Sequence, residues 1–152
     1  MKIEIRRAVS TDSERATELA RRAKAHWGYP EEWLAAWDAD LKITEAAIER
    51  HPTFVAALDD EVVGVCQLQE SDQHAFLEHV WVDPSAHGRG VGRALVEHAR
   101  SNARGVIAIV ADPHAEGFYF RLGARRVGEI SAPMPGAPER KLPLLELDSV
   151  PA

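Results

Sequence analysis

Leu77-Glu78-His79-Val80-Trp81-Val82-Asp83-Pro84-Ser85-Ala86-His87-Gly88-Arg89-Gly90-Val91-Gly92-Arg93-Ala94-Leu95 is the stretch that decides the reading of this chain. Its apolar opening predicts a strand, Val82-Asp83-Pro84 a short turn, and the alternating Gly88, Gly90 and Gly92 a loop that leads into a helix. Glycines in such a loop remove the side chains that would keep an anion away from backbone N–H donors. The helix that follows has unpaired N–H groups and a partial positive charge at its first turn. A phosphate or pyrophosphate fits that combination.

The spacing excludes two common phosphate loops. A P-loop needs four residues between its glycines and then Lys with Ser or Thr, and neither is present. A dinucleotide fingerprint needs G-x-G-x-x-G, whereas Gly88-Arg89-Gly90-Val91-Gly92 reads G-x-G-x-G. A nicotinamide- or ATP-dependent enzyme is therefore a distant reading.

The stretch resembles the signature of the GCN5-related N-acetyltransferases, Arg or Gln-x-x-Gly-x-Gly or Ala after a strand ending in V-x-P. Val82-Asp83-Pro84, Gly90 and Gly92 match it, and His87 stands where Arg or Gln is usual. A second segment supports the same family. Asp112-Pro113-His114-Ala115-Glu116-Gly117-Phe118-Tyr119-Phe120-Arg121-Leu122-Gly123-Ala124 is similar to the family's N-x-x-A-x-x-F-Y-x-x-x-G-F, with Ala115, Phe118, Tyr119 and Gly123 matching. Asp112 replaces Asn and Ala124 replaces Phe.

The resemblance implies acetyl-coenzyme A as cosubstrate and direct transfer of its acetyl group to a primary amine of a small molecule or peptide. It implies that the backbones of Trp81 and Val82 meet the pantetheine arm and that residues His87, Gly88, Arg89, Gly90, Val91, Gly92 and Arg93 hold the pyrophosphate. Asp112, Ala115 and Phe118 would form the other wall, and the backbone near His79 and Val80 would polarise the thioester carbonyl. Tyr119 stands where the family commonly has a general acid, and a phenol with a pKa of ~10 suits a departing thiolate. Glu78 is the candidate base. His79 is the alternative, with an ordinary pKa of ~6.5. Regular strand alternation would send these neighbours to opposite faces. The competing reading is an acyl-coenzyme A-binding regulatory domain that has lost turnover, kept open by His87 and Asp112.

Composition sets the outer bounds. With 152 residues, the chain is expected to form one domain over residues 1–152. Its 45% hydrophobic and 28% charged content is that of a globular protein. No apolar run is long enough to span a bilayer and no signal peptide is evident at Met1-Lys2-Ile3-Glu4-Ile5, so neither a membrane nor export is expected. The single Cys66 excludes an internal disulfide, fits a reducing cytoplasm, and reads as a small core residue. A net charge of -6 without a Lys/Arg cluster argues against nucleic acid. The histidines lack metal-ligand spacing, so no metal is expected.

The remaining elements predict an α+β fold. After a first strand at Ile3, Thr11 would cap a helix running to about Ala25, with Glu14 as its capping-box partner. Pro30 opens a second helix, with Trp33 and Trp37 expected in the core, and a short helix follows Thr44. Residues 53–58 and 62–68 form a hairpin, residues 75–82 the next strand, and residues 90–102 the helix after the loop. Val106 to Val110 looks like a central strand covered on both faces. A helix over residues 113–122, a strand to Ile130, a Pro/Gly-rich loop and a last strand from Leu142 complete the chain. The family's fold would then be a mixed, mostly antiparallel sheet of about seven strands with helices on both faces. The acceptor is expected near Trp27 and Tyr29, whose rings could attract a cationic amine, with His79 beside them; the loop with Met134 reads by default as a connection, with an opposite wall as the alternative. The resemblance allows a homodimer, since dimers are common in the family, but the sequence marks no interface and leaves the oligomeric state open.

Overall fold

Asp59 and Asp60 hold φ of 49° and 69°, the left-handed backbone that a two-residue hairpin requires. They join β2 (Thr53–Leu58) to β3 (Glu61–Glu70) in a computed structural model that describes residues 2–71 and 74–149. The other strands are β1 (Ile3–Arg7), β4 (Ala75–Val82), β5 (Val106–Val110), β6 (Arg125–Ser131) and β7 (Lys141–Asp148). They form one sheet in the order β1-β2-β3-β4-β5-β7-β6. Only the β4–β5 pairing is parallel. The fold is α+β, as the sequence predicts.

Helices cover both faces. One face packs α4 (Val91–Ser101) and α5 (Glu116–Arg121) over Leu68, Leu77, Ile107, Ile109 and Leu145. The other packs α1 (Ser13–Ala25), with Leu19 and Ala20, against Val55 and Val65. α2 (Glu31–Leu41) and α3 (Glu45–Arg50) extend that layer through Leu41 and Ile48. Gly64 lets α4 sit close to the sheet, since a Cβ there would lie 2.8 Å from Leu95 and 2.9 Å from Val91. That close packing fixes the start of α4 against β3 and β4.

Two expectations need correction. Thr11 does not cap α1. Ser10–Asp12 form a 3-10 turn, and the Asp12 carboxylate accepts the N–H of Val9 at 2.8 Å while pairing with Arg6. The acid thus folds back toward β1 rather than forward into the helix. Nor is β5 covered on both faces. Ile107 and Ile109 are buried, but Val106 is 40% and Val110 45% exposed. Its apolar composition therefore reflects β propensity as much as burial.

Pro143 lies near the start of β7, which has β5 on one side and β6 on the other. Its carbonyl accepts the N–H of Ala111 just beyond the end of β5. The missing donor thus sits where the ladder is starting, as a proline requires.

Candidate active site

β4 and β5 pair only at Ala75–Ile107 and Phe76–Ala108. Beyond that point the two strands part, and a cavity of about 520 Å³ opens between β4, the loop before α4, and α5. Val80, Trp81 and Val82 form one wall, Phe118 and Tyr119 another, and Gly88, Gly90, Val91, Gly92 and Arg93 the mouth. His87 also faces it, and its Nε2 lies 3.3 Å from the Val82 carbonyl.

Gly88 and Gly90 hold φ of 77° and 83°, which side-chain-bearing residues rarely adopt. Gly90 caps α4 without any side-chain hydrogen bond, so the first amides of the helix point into the cavity mouth with no side-chain acceptor. Gly92 has a different reason to be small: its Cβ would meet the Phe118 ring at 3.2 Å. The cradle fits a phosphorylated ligand by its backbone alone. Arg89 is exposed and lies outside the cavity lining.

Sequence reasoning passed over Asp83, which anchors the turn before the loop. The residue is 3% exposed. Its carboxylate accepts from Arg22 Nε at 2.9 Å, from the Ser85 N–H at 3.0 Å and from the Ser85 hydroxyl at 2.9 Å. Burial alone would raise its pKa, but these donors hold it down to about 2. The Asp-Pro-Ser order was the available signal, because Asp before Pro commonly starts such a turn.

Asp112 and Ala115 lie outside the cavity lining. Ala115 packs against the core. Asp112 accepts from Lys24 Nζ at 2.7 Å and from the Tyr29 hydroxyl at 2.8 Å. It also caps the turn after β5, accepting the His114 N–H at 2.8 Å. Burial opposes its charge, yet Lys24 and His114 bring its pKa down to about 2. Burial, and then its hydrogen bond to Asp112, push the Tyr29 phenol up to about 12. The acid therefore ties α1 to the end of β5, with its charge offset by Lys24.

Trp27 and Tyr29 are not brought into one pocket. Trp27 lines the large cavity and stacks on His114 at 4.8 Å between ring centres. Tyr29 joins Trp33 and Trp37 in a half-buried aromatic cluster. Trp37 packs, partly buried, against the core beneath α1, whereas Trp33 lies outside the core, contrary to expectation. Lys24 lies over Tyr29 and Trp37, and Arg140 over all three rings. The chain's own cations already occupy these faces.

Glu78 and His79 break the strand alternation. Gln67 pairs with His79 and Leu68 with Leu77, so Glu78 is the extra residue of a β-bulge. Both residues consequently line a second cavity of about 180 Å³, Glu78 exposed to solvent and His79 buried, with Lys24, Trp37, Asp40, Leu41, Trp81, Arg140 and Leu142. The expectation that they must face opposite ways is corrected by this bulge. His79 is 7% exposed, and burial lowers its pKa to about 4. Trp81 donates its indole N–H to His79 Nδ1 at 2.9 Å, so the neutral ring carries its proton on Nε2. Neither nitrogen is then free to take a proton. Met134 lines neither cavity; its loop is held to α2 where Trp33 Nε1 donates to the Pro135 carbonyl at 2.9 Å.

Tyr119 is 6% exposed on the wall of the large cavity, and burial raises its pKa above the ordinary value. Trp81 borders both cavities, which places the two spaces on either side of the same part of β4.

The fold, with its cleft between two diverging strands, is that of an acyltransferase that uses a phosphorylated acyl donor. The Acetyltransferase (GNAT) family model matches residues 14–124, and the chain belongs to that family of acetyl-coenzyme A-dependent N-acetyltransferases. It is 30% identical over 152 residues to the peptidyl-lysine N-acetyltransferase YjaB of Salmonella typhimurium, covering 97% of this chain and 98% of the relative. The solution structure of apo-form YjaB from Escherichia coli is 29% identical, with a TM-score of 0.69 over 100% of both chains. The PaiA N-acetyltransferase of Thermoplasma acidophilum, solved with coenzyme A, shares the fold at 19% identity, with a TM-score of 0.73 over 97% of this chain and 99% of that one. Among the described residues no helix is long and apolar enough to cross a membrane.

Proposed function

We propose that this enzyme moves the acetyl group of acetyl-coenzyme A to a primary amine of a small molecule or peptide by direct attack. The observation that carries the reading is the bulge at Glu78, which turns a carboxylate toward the smaller cavity while Trp81 borders both. Glu78 takes the proton from the incoming ammonium, and the free amine attacks the thioester carbon. The C–S bond then breaks, the Tyr119 hydroxyl gives its proton to the departing thiolate, and the second proton lost by the attacking nitrogen restores the phenol. Backbone N–H groups at Val80 and the start of α4 hold the carbonyl oxygen and the pyrophosphate respectively. His87, Gly88, Gly90, Gly92 and Arg93 serve the donor, with Phe118 and Val82 closing on its arm.

The place of Tyr119 on the wall of the larger cavity, beside Phe118, supports this role. The tautomer set by Trp81 supports Glu78 over His79 as base. A lysine side chain is one acceptor suggested by the name of the Salmonella relative. A binding domain without turnover has no comparable need for Glu78 and Tyr119. The test is release of free thiol from acetyl-coenzyme A in the presence of a panel of amines. Amine-dependent release supports the reading, and acetyl-coenzyme A binding without release under any amine contradicts it.

A further inference from the structure

We propose that the acceptor is a small amine that also carries a carboxylate, and that Arg140 binds that carboxylate. The proposal rests on the acetyl-transfer reading and narrows its acceptor. Arg140 borders the smaller cavity together with Glu78 and Asp40. Its guanidinium lies 5.1 Å from the ring centre of Trp37, 5.5 Å from Trp33 and 5.8 Å from Tyr29. Nη1 donates to the Ala132 carbonyl at 3.2 Å.

These contacts hold the group in place without supplying a counter-ion. Among the described residues no carboxylate pairs with Arg140, whereas Arg15, Arg21, Arg22, Arg125 and Arg126 each have an acidic partner. Lys24, the other cation of the cavity, is committed to Asp112 at 2.7 Å. A half-buried guanidinium with spare N–H donors matches a carboxylate in bidentate fashion. Glu78 and Asp40 offer the opposite charge to an ammonium. A zwitterion therefore satisfies both ends of the cavity.

Size points the same way. About 180 Å³ is the room of several waters at ~30 Å³ each, enough for a molecule the size of one amino acid. Leu41, Trp81 and Leu142 line it with apolar surface that would accept a hydrocarbon side chain. A polyamine or aminoglycoside would set only positive charge against Arg140. A lysine within a peptide brings an amine but no carboxylate of its own.

The test measures thiol release with free amino acids of apolar side chain, each beside its carboxamide, and with an end-blocked lysine peptide. The acid should have a KM about tenfold or more below that of its amide. Arg140→Gln should close that gap, and Arg140→Lys should keep part of it. A second readout needs no turnover: fluorescence of Trp37 and Trp81 titrated with N-acetyl amino acids and their amides should show the same preference, lost in R140Q. Equal KM and equal binding for acid and amide would overturn the proposal. So would a preference that survives in a folded R140Q, or turnover of the lysine peptide with every amino acid silent in both assays. Failure of acetyl-coenzyme A to stabilise the protein would instead strike the transferase reading, while the fluorescence still reports on Arg140.

Discussion

Trp81 donates its indole N–H to Nδ1 of His79 at 2.9 Å, two residues away on the same strand. The pair joins the lining of the larger cavity to that of the smaller one. Burial keeps the His79 ring neutral, with its pKa lowered to about 4. An unfolded His titrates near 6.5, so the unfolded chain binds more protons between those values. Stability from this group is complete above pH ~6.5 and is lost as pH falls toward 4, by about 3 kcal/mol in all. Urea unfolding across that range should show the slope, and His79→Gln should flatten it.

Asp83 and Asp112 act in a lower window. Both carboxyls sit at about 2 in the folded chain, below the ~3.9 of a free Asp. Their stabilisation is present above that ordinary value and is lost on further acidification toward 2. Asp83→Ala removes an acceptor shared by Arg22 and the Ser85 turn, at neutral pH, and should cost about 2 kcal/mol. For a chain of this size that lowers Tm by roughly 4–8 °C. Arg22→Ala should be milder, because its side chain is 53% exposed and Ser85 still holds the acid.

Gly64→Ala places a methyl group against Leu95 and Val91, at 2.8 Å and 2.9 Å in the unrelaxed structure. Overpacking at such a contact costs about 1–3 kcal/mol. Because α4 carries the donor cradle, the variant should also weaken acetyl-coenzyme A binding. Thermal unfolding with and without acetyl-coenzyme A checks both effects.

Tyr119→Phe keeps the ring that packs beside Phe118 and removes the proton. The account predicts a fall in kcat of roughly 10²–10⁴. Stabilisation by acetyl-coenzyme A should persist, at ~2.7 kcal/mol for one hundred times Kd.

The fold was legible because its signals are local. Alternation, turn residues and the glycine spacing placed every strand and the helix after the loop. What escaped depends on long-range pairing or on register. Asp112 meets Lys24 across 88 positions of sequence, so its replacement of Asn could be seen but not its neutralisation. Trp33 and Trp37 have core-like spacing, yet their half-exposed faces receive Arg140, which no periodicity reveals. The same holds for Glu78 and His79. Alternation predicts opposite faces, and only the pairing of β3 with β4 discloses the bulge that brings them together.

Glu78→Gln separates proton removal from donor binding, since it keeps the size of the side chain and removes its basicity. Acetyl-coenzyme A should stabilise the variant as it does the native enzyme, while amine-dependent thiol release falls by roughly 10²–10⁴. Thiol release within a few-fold of the native rate, with the donor still bound, would contradict the account and remove Glu78 from the reaction.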